Sequence, residues 1–172
     1  MMMRMLEAGG LPVAIDNHRP ADEDNPHGYY EFEPAKRLRE DASWLAPLNG
    51  KAVKIVYLLL YDLPRDHEYR VVLMHRRLDE VVASQRVMLQ RQRKAAGPVP
   101  DAQLARMLSS DLQRLDGWIR QQENFRVLHV SYDDLLSHPE ATAIAVERFL
   151  GLGLNTNAMV TVVDRSLHRQ RR

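Results

Sequence analysis

Two short apolar runs, YRVVLMH at Tyr69 to His75 and FRVLHVS at Phe125 to Ser131, constrain this chain more than any other feature. Both are rich in β-branched or aromatic residues, too short for a buried helix, and followed by residues at helical spacing. Runs apolar on both faces are what parallel strands look like when helices cover both sides of their sheet. A third run, AVKIVYLLL within Lys51 to Leu60, predicts another buried strand, and LPVAID, Leu11 to Asp16, predicts a short one. The expected class is therefore α/β, with a mostly parallel sheet.

The helices read from the same pattern. Met1 to Ala8 is helical, and Gly9 and Gly10 stop it. Asn17 to Tyr30 is a polar loop, and Glu33 to Trp44 holds a helix. Leu78, Val81, Val82, Met88 and Leu89 give helical spacing over Leu78 to Lys94, with Asp79 and Glu80 in the first turn, where the helix dipole favours them. Gly97, Pro98 and Pro100 mark a loop, and Asp101 caps a long helix striped by Leu104, Leu108, Leu112, Leu115, Trp118 and Ile119. Ser137 and Pro139 start a helix that Gly151 ends, and Asn155 caps a last one.

Composition removes several classes. The 172 residues fit one domain, residues 1–172, with a basic tail at about 165–172. Lys plus Arg number 24 and Asp plus Glu 23, a formal charge of +1, so this is no broadly basic nucleic-acid binder. No aromatic residue interleaves the basic tail to stack bases. Without Cys there is no disulfide, thiolate nucleophile or thiolate metal site. No apolar run reaches the ~18 residues that cross a bilayer. A soluble cytoplasmic protein that binds neither nucleic acid nor membrane is expected. The seven His show no metal-ligand spacing, and no metal is expected.

Chemistry concentrates in YRVVLMHRRLDEVVASQ. A buried strand ends at Met74 or His75, Arg76 follows, and Ser84 stands about two turns into the next helix. Ligands of open α/β sheets sit outside the carboxyl ends of the strands. The planar fork of Arg76 can hold two oxygens of an anion there, and Ser84 can add a hydroxyl donor.

Arg76 and Ser84, eight residues apart across a strand-to-helix junction, resemble the 3′-phosphate-binding element of sulfotransferases. FRVLHVSYDDLLSHPEATAIAVERFLGL is similar to that family's strand, Tyr-acid-Asp-Leu turn, Pro-started helix and Phe-Leu-Gly ending. DEDNPHGYYEFEP is similar to the substrate-side loop of bacterial sulfotransferase-like proteins. In order, these segments span roughly residues 16 to 152.

The resemblance implies a three-layer α/β/α sandwich of P-loop NTPase-like type. It also implies transfer of a sulfuryl group from 3′-phosphoadenosine 5′-phosphosulfate (PAPS) to a hydroxyl or amine on a small-molecule or glycan acceptor. Arg76 and Ser84 would anchor the 3′-phosphate, and Tyr132 would lie against the adenine. Lys54 matches a family Lys that precedes the catalytic segment. The His that follows it by two in cytosolic members is Val56 here, so that base does not carry over. Glu31, in GYYEFE, is the expected base, with Glu33 and Asp16 equally open by sequence.

The family's first strand and its Gly-x-x-(Arg/Lys)-(Ser/Thr)-Gly-(Thr/Ser) loop, which cradle the 5′-phosphosulfate, have no counterpart in this sequence. Met1 to Leu6 is similar to the helix that follows that loop, so an N-terminally truncated member is expected. Either the start codon is misassigned or the loop is lost, and in the second case full-rate catalysis is not expected. The alternative is a catalytically silent relative acting as a nucleotide-binding or interaction module. A P-loop kinase is disfavoured because no Walker-type Lys is present.

Overall fold

The computed structural model describes all residues except 17, 19, 20, 23, 24, 26, 92–96, 98 and 166–172. Among the described residues, seven helices and two strands run in the order α1 (Met2–Ala8), α2 (Glu33–Lys36), β1 (Tyr69–His75), α3 (Leu78–Arg91), α4 (Asp101–Ile119), β2 (Phe125–Ser131), α5 (Tyr132–Ser137), α6 (Pro139–Leu150) and α7 (Thr156–Thr161), with short 3₁₀ turns at Ala46–Leu48 and Tyr57–Asp62.

The two strands are parallel neighbours, paired from Tyr69 with Phe125 to His75 with Ser131. Parallel strands need a long crossover, and α3 and α4 supply it. Alternation sends Tyr69, Val71, Leu73, Phe125 and Val127 to one face, where they pack with Leu115 and Ile119 of α4 and with Leu60, Leu63 and Trp44. Val72, Met74, Leu128 and Val130 face the other way, onto Met2, Met5 and Leu6 of α1 and Leu135, Val146 and Met159 beyond β2. One small sheet thus separates two apolar cores, an arrangement of the α/β kind.

The helix ends follow from local chemistry. The Asn155 side chain accepts from the Ala158 N–H at 3.0 Å, the cap its position predicts. Pro139 occupies the first turn of α6, and Gly151 ends that helix in the left-handed conformation at φ 62°.

Four expectations are corrected. Leu11 to Asp16 forms no strand: Val13 makes a single parallel bridge with Ala52. Pro12 has no N–H to extend the pairing, and Asp16 turns the chain by accepting from the N–H groups of His18 and Glu33. Lys51 to Leu60 is not a buried strand either. After the bridge it forms no ladder, and from an extended Val56 the chain winds into the 3₁₀ turn, with Val56 60% and Leu58 46% exposed. The helix expected over Glu33 to Trp44 lasts only to Lys36, and a later turn is held by the Ser43 N–H on Asp41 at 2.8 Å. Asp101 does not cap α4: Pro100 holds the cap position, and Asp101 pairs with Arg86 at 2.8 Å instead. The expected end of α3 at Lys94 and the basic tail beyond Arg165 lie outside the described residues.

Candidate functional site

Register builds the site. Because His75 and Ser131 are level partners at the carboxyl end of the sheet, the residues that follow them, Arg76 and Tyr132, leave side by side. The Arg76 guanidinium carbon lies 5.1 Å from the centroid of the Tyr132 ring, within cation–π range. Ser131 fixes that exit by capping α5, its hydroxyl accepting from the Asp134 N–H at 3.2 Å.

A second constraint comes from α3. Glu80, one turn beyond Arg76, accepts from Arg76 Nε at 3.0 Å. The Glu80 side chain is only 3% exposed, whereas that of Arg76 is 25% exposed. A carboxylate this deeply buried needs its cation, so the pair pins Arg76 in place. It occupies the Nε edge of the guanidinium.

Beside this pair lies a cleft of about 260 Å³ lined by Met1, Met2, Met74, His75, Arg76 and Tyr132. Positive charge collects around it. Burial, followed by the charges of Arg4 and Lys54, pulls the Met1 amino group below its ordinary range. Arg4 Nη1 is buried with no hydrogen-bond partner in the described structure. Burial raises Tyr132 above the usual phenol range, with Arg76 acting in the opposite direction.

The sequence-predicted residues divide into groups. Arg76 and Tyr132 meet at the cleft. Ser84 is half-buried one turn past Glu80, on the same side of α3, and is not among the residues lining the cleft. Lys54 donates to the carbonyl of Tyr29, tying the loop before α2 to the segment after the Val13 bridge. Glu31 pairs with Lys36 at 3.0 Å, and Lys36 also meets Glu33 at 2.8 Å. Asp16 is held below the ordinary carboxylate range, chiefly by the Glu33 N–H and next by that of His18. His27 lies 3.2 Å from Asp164, whose charge also acts on Tyr132, so this loop runs past the cleft side of the sheet. Tyr30 holds a positive φ of 52° and donates to Glu7 at 2.5 Å; burial, followed by this bond, raises its hydroxyl to about 12.

Sequence reasoning assigned Glu80 only to the helix dipole. Its four-residue spacing from Arg76 was the available signal of a pair. His75, His129 and Asp116 also come together near the strand end, a meeting that spacing along the sequence does not display. Among the described residues, no group of three or more His, Cys, Asp or Glu is placed to hold a metal ion, and no helix is long and apolar enough to cross a membrane.

A family model described as "Sulfotransferase family" matches residues 20–156. No match was found among curated proteins or among solved structures.

Proposed function

The chain belongs to the sulfotransferase family, and from that premise we propose that it binds PAPS at the Arg76 cleft and transfers its sulfuryl group to a hydroxyl or amine acceptor. The observation that carries this reading is Arg76 itself, fixed by buried Glu80 at 3.0 Å and by the face of Tyr132, at the carboxyl end of a parallel sheet. A guanidinium positioned before ligand arrives loses little freedom on binding, and its remaining edge suits a phosphoryl group. Arg4 and Lys54 add positive charge to the same corner. A layered P-loop-like architecture agrees with two apolar cores on opposite faces of one sheet.

The cleft is smaller than the ~300–1,000 Å³ usual for whole ligands. It suits the 3′-phosphate and part of the ribose, with Tyr132 beside the adenine; Ser84, which does not line the cleft, would add a hydroxyl only to a ligand that extends past it along α3. In the transfer, an acceptor oxygen or nitrogen forms a bond to sulfur. The bridging sulfur–oxygen bond breaks, and 3′-phosphoadenosine 5′-phosphate (PAP) leaves with the electron pair. Lys54 supplies charge near the leaving oxygens in this reading. Glu31 stands on the acceptor-side loop, but its ion pair with Lys36 must open before it takes a proton.

The test is incubation of the full chain with ³⁵S-labelled PAPS and an acceptor panel of phenols, sugars and amines, beside a melting experiment with PAP. Labelled product and a raised Tm are expected. No PAP-dependent shift and no label transferred or released would contradict the reading.

A further inference from the structure

The sheet has two strands and therefore two outer edges. Along a strand, each residue turns its N–H and C=O to one side, alternately toward and away from the neighbouring strand. The Tyr69 N–H donates to the Asn124 carbonyl at 2.8 Å, so Tyr69, Val71, Leu73 and His75 address β2. Arg70, Val72 and Met74 turn theirs outward, and among the described residues those groups meet no backbone partner. No residue of β1 is buried, although apolar cores pack against both of its faces.

Exposed edges are normally guarded by Lys, Pro, a bulge or a covering element, because an open row of N–H and C=O groups is a template for another strand. β1 contains neither Lys nor Pro, and its register with β2 runs without a bulge from Tyr69 to His75. Its one Arg, Arg70, donates to the Leu150 carbonyl and is thereby held against the end of α6.

The charges flanking β1 decide what this edge fits. Asp66 and Glu68 precede the strand, and Arg76 and Arg77 follow it. The side chains of Asp66 and Arg77 are 76% and 53% exposed, and Glu68 is exposed as well. A strand that is acidic at its start and basic at its end complements a copy of itself running antiparallel. β1 spans seven residues, and its midpoint is Val72, one of the outward-turned positions. A two-fold axis through Val72 sets Tyr69 opposite His75, Arg70 opposite Met74 and Val71 opposite Leu73 of the second copy. The outward groups of Arg70, Val72 and Met74 then exchange N–H···O=C bonds in pairs. The same register brings Arg76 level with Glu68 of the second copy and sets Arg77 beside Asp66. The β2 edge lacks this match: Glu123 precedes that strand and Asp133 and Asp134 follow it, so antiparallel self-pairing there sets acid against acid.

We propose that β1 is a homodimerisation edge, through which two copies of the chain join antiparallel about Val72 into one four-stranded sheet of order β2–β1–β1–β2. The same strand serves both copies, as a two-fold contact requires. Opposite charges at the two ends fix the direction and the register. Seven residues a side make a small contact, so the dimer dissociates on dilution and loosens as salt screens the flanking charges. This pairing stands on the strand edge alone, whatever ligand the cleft takes.

Analytical ultracentrifugation of the full chain over a dilution series, at low and at high salt, tests this. A monomer–dimer equilibrium with nothing larger is expected, weaker at high salt. E68R places a like charge against Arg76 of the second copy and should raise the dimer dissociation constant about tenfold or more, with the far-UV circular dichroism unchanged. The chain has no Cys, so V72C carries its only thiol. Directly opposed residues of a hydrogen-bonded antiparallel pair stand about 5.5 Å apart at Cα, within reach of a disulfide. Mild oxidation should therefore link V72C into a covalent dimer and leave V127C, on β2, unlinked. A wild type that stays monomeric at every concentration would overturn the proposal. So would a dimer indifferent to E68R, a larger assembly, or V127C linking as readily as V72C.

Discussion

At the residue scale, the Arg76–Glu80 pair is asymmetric, and this governs how its role can be measured. Removing Glu80 leaves a guanidinium that is already 25% exposed and can rehydrate. Removing Arg76 takes a guanidinium away from a carboxylate at 3% exposure, which destabilises the fold. R76A alone therefore mixes a binding defect with a folding defect. The double variant R76A/E80Q should recover much of the stability lost in R76A yet still fail to respond to PAP, as read by denaturant unfolding and thermal shift. Equal stability of R76A and wild type would mean that the pair does not hold the site. His75 gives a pH prediction at the same scale. Its imidazole is depressed below the unfolded value of about 6.5, so the unfolded chain binds the extra proton first. The stability associated with neutral His75 is present above about pH 6.5 and is lost as pH falls through the lower folded value. Unfolding curves at pH 7.5 and 5.5 should show this loss in the wild type and a smaller one in H75Q; identical losses would contradict the assignment.

At the element scale, the parts legible in the sequence are those whose burial is set by one clear pattern. Tyr69–His75 and Phe125–Ser131 are apolar toward both cores and form the sheet at the expected bounds. The stripe on α4 buries Leu115 and Ile119 as its period requires. Lys51 to Leu60 misleads because an apolar run does not reveal whether a neighbouring strand exists; here Ala52 bridges to Val13, whereas the Val56 carbonyl accepts from the Leu59 N–H at 2.9 Å within the 3₁₀ turn. The crossing of α1 and α7 is equally silent in sequence. Gly9 has an ordinary φ of −71°, so no turn requires glycine there. A Cβ at Gly9 would lie 2.8 Å from Cγ of Met159, which is fully buried. G9A should cost about 1–3 kcal/mol by overpacking, with Tm falling by several degrees. An unchanged Tm would mean that α7 moves aside freely and is not anchored to α1.

At the scale of the whole molecule, one sheet edge gathers what the two cores hold in place. β1 delivers His75 and Arg76, β2 delivers His129 and Tyr132, and α3 and α4 reach in with Glu80 and Asp116. Arg76 and Tyr132 meet because each follows a strand end; in the sequence, position singles out Arg76, while Tyr132 is singled out only by the family resemblance. The Arg76–Glu80 pairing and the meeting of His75 with His129 depend on burial and on register, which no single segment displays. The central claim is that Arg76 reads a 3′-phosphate, and calorimetric titration with PAP and with AMP tests it most directly. A charge-assisted contact contributes about 1.5–3 kcal/mol, so the wild type should prefer PAP by roughly tenfold to a hundredfold, and R76A/E80Q should bind both alike. Equal affinity for the two nucleotides in the wild type, or a preference that survives in the double variant, would contradict it.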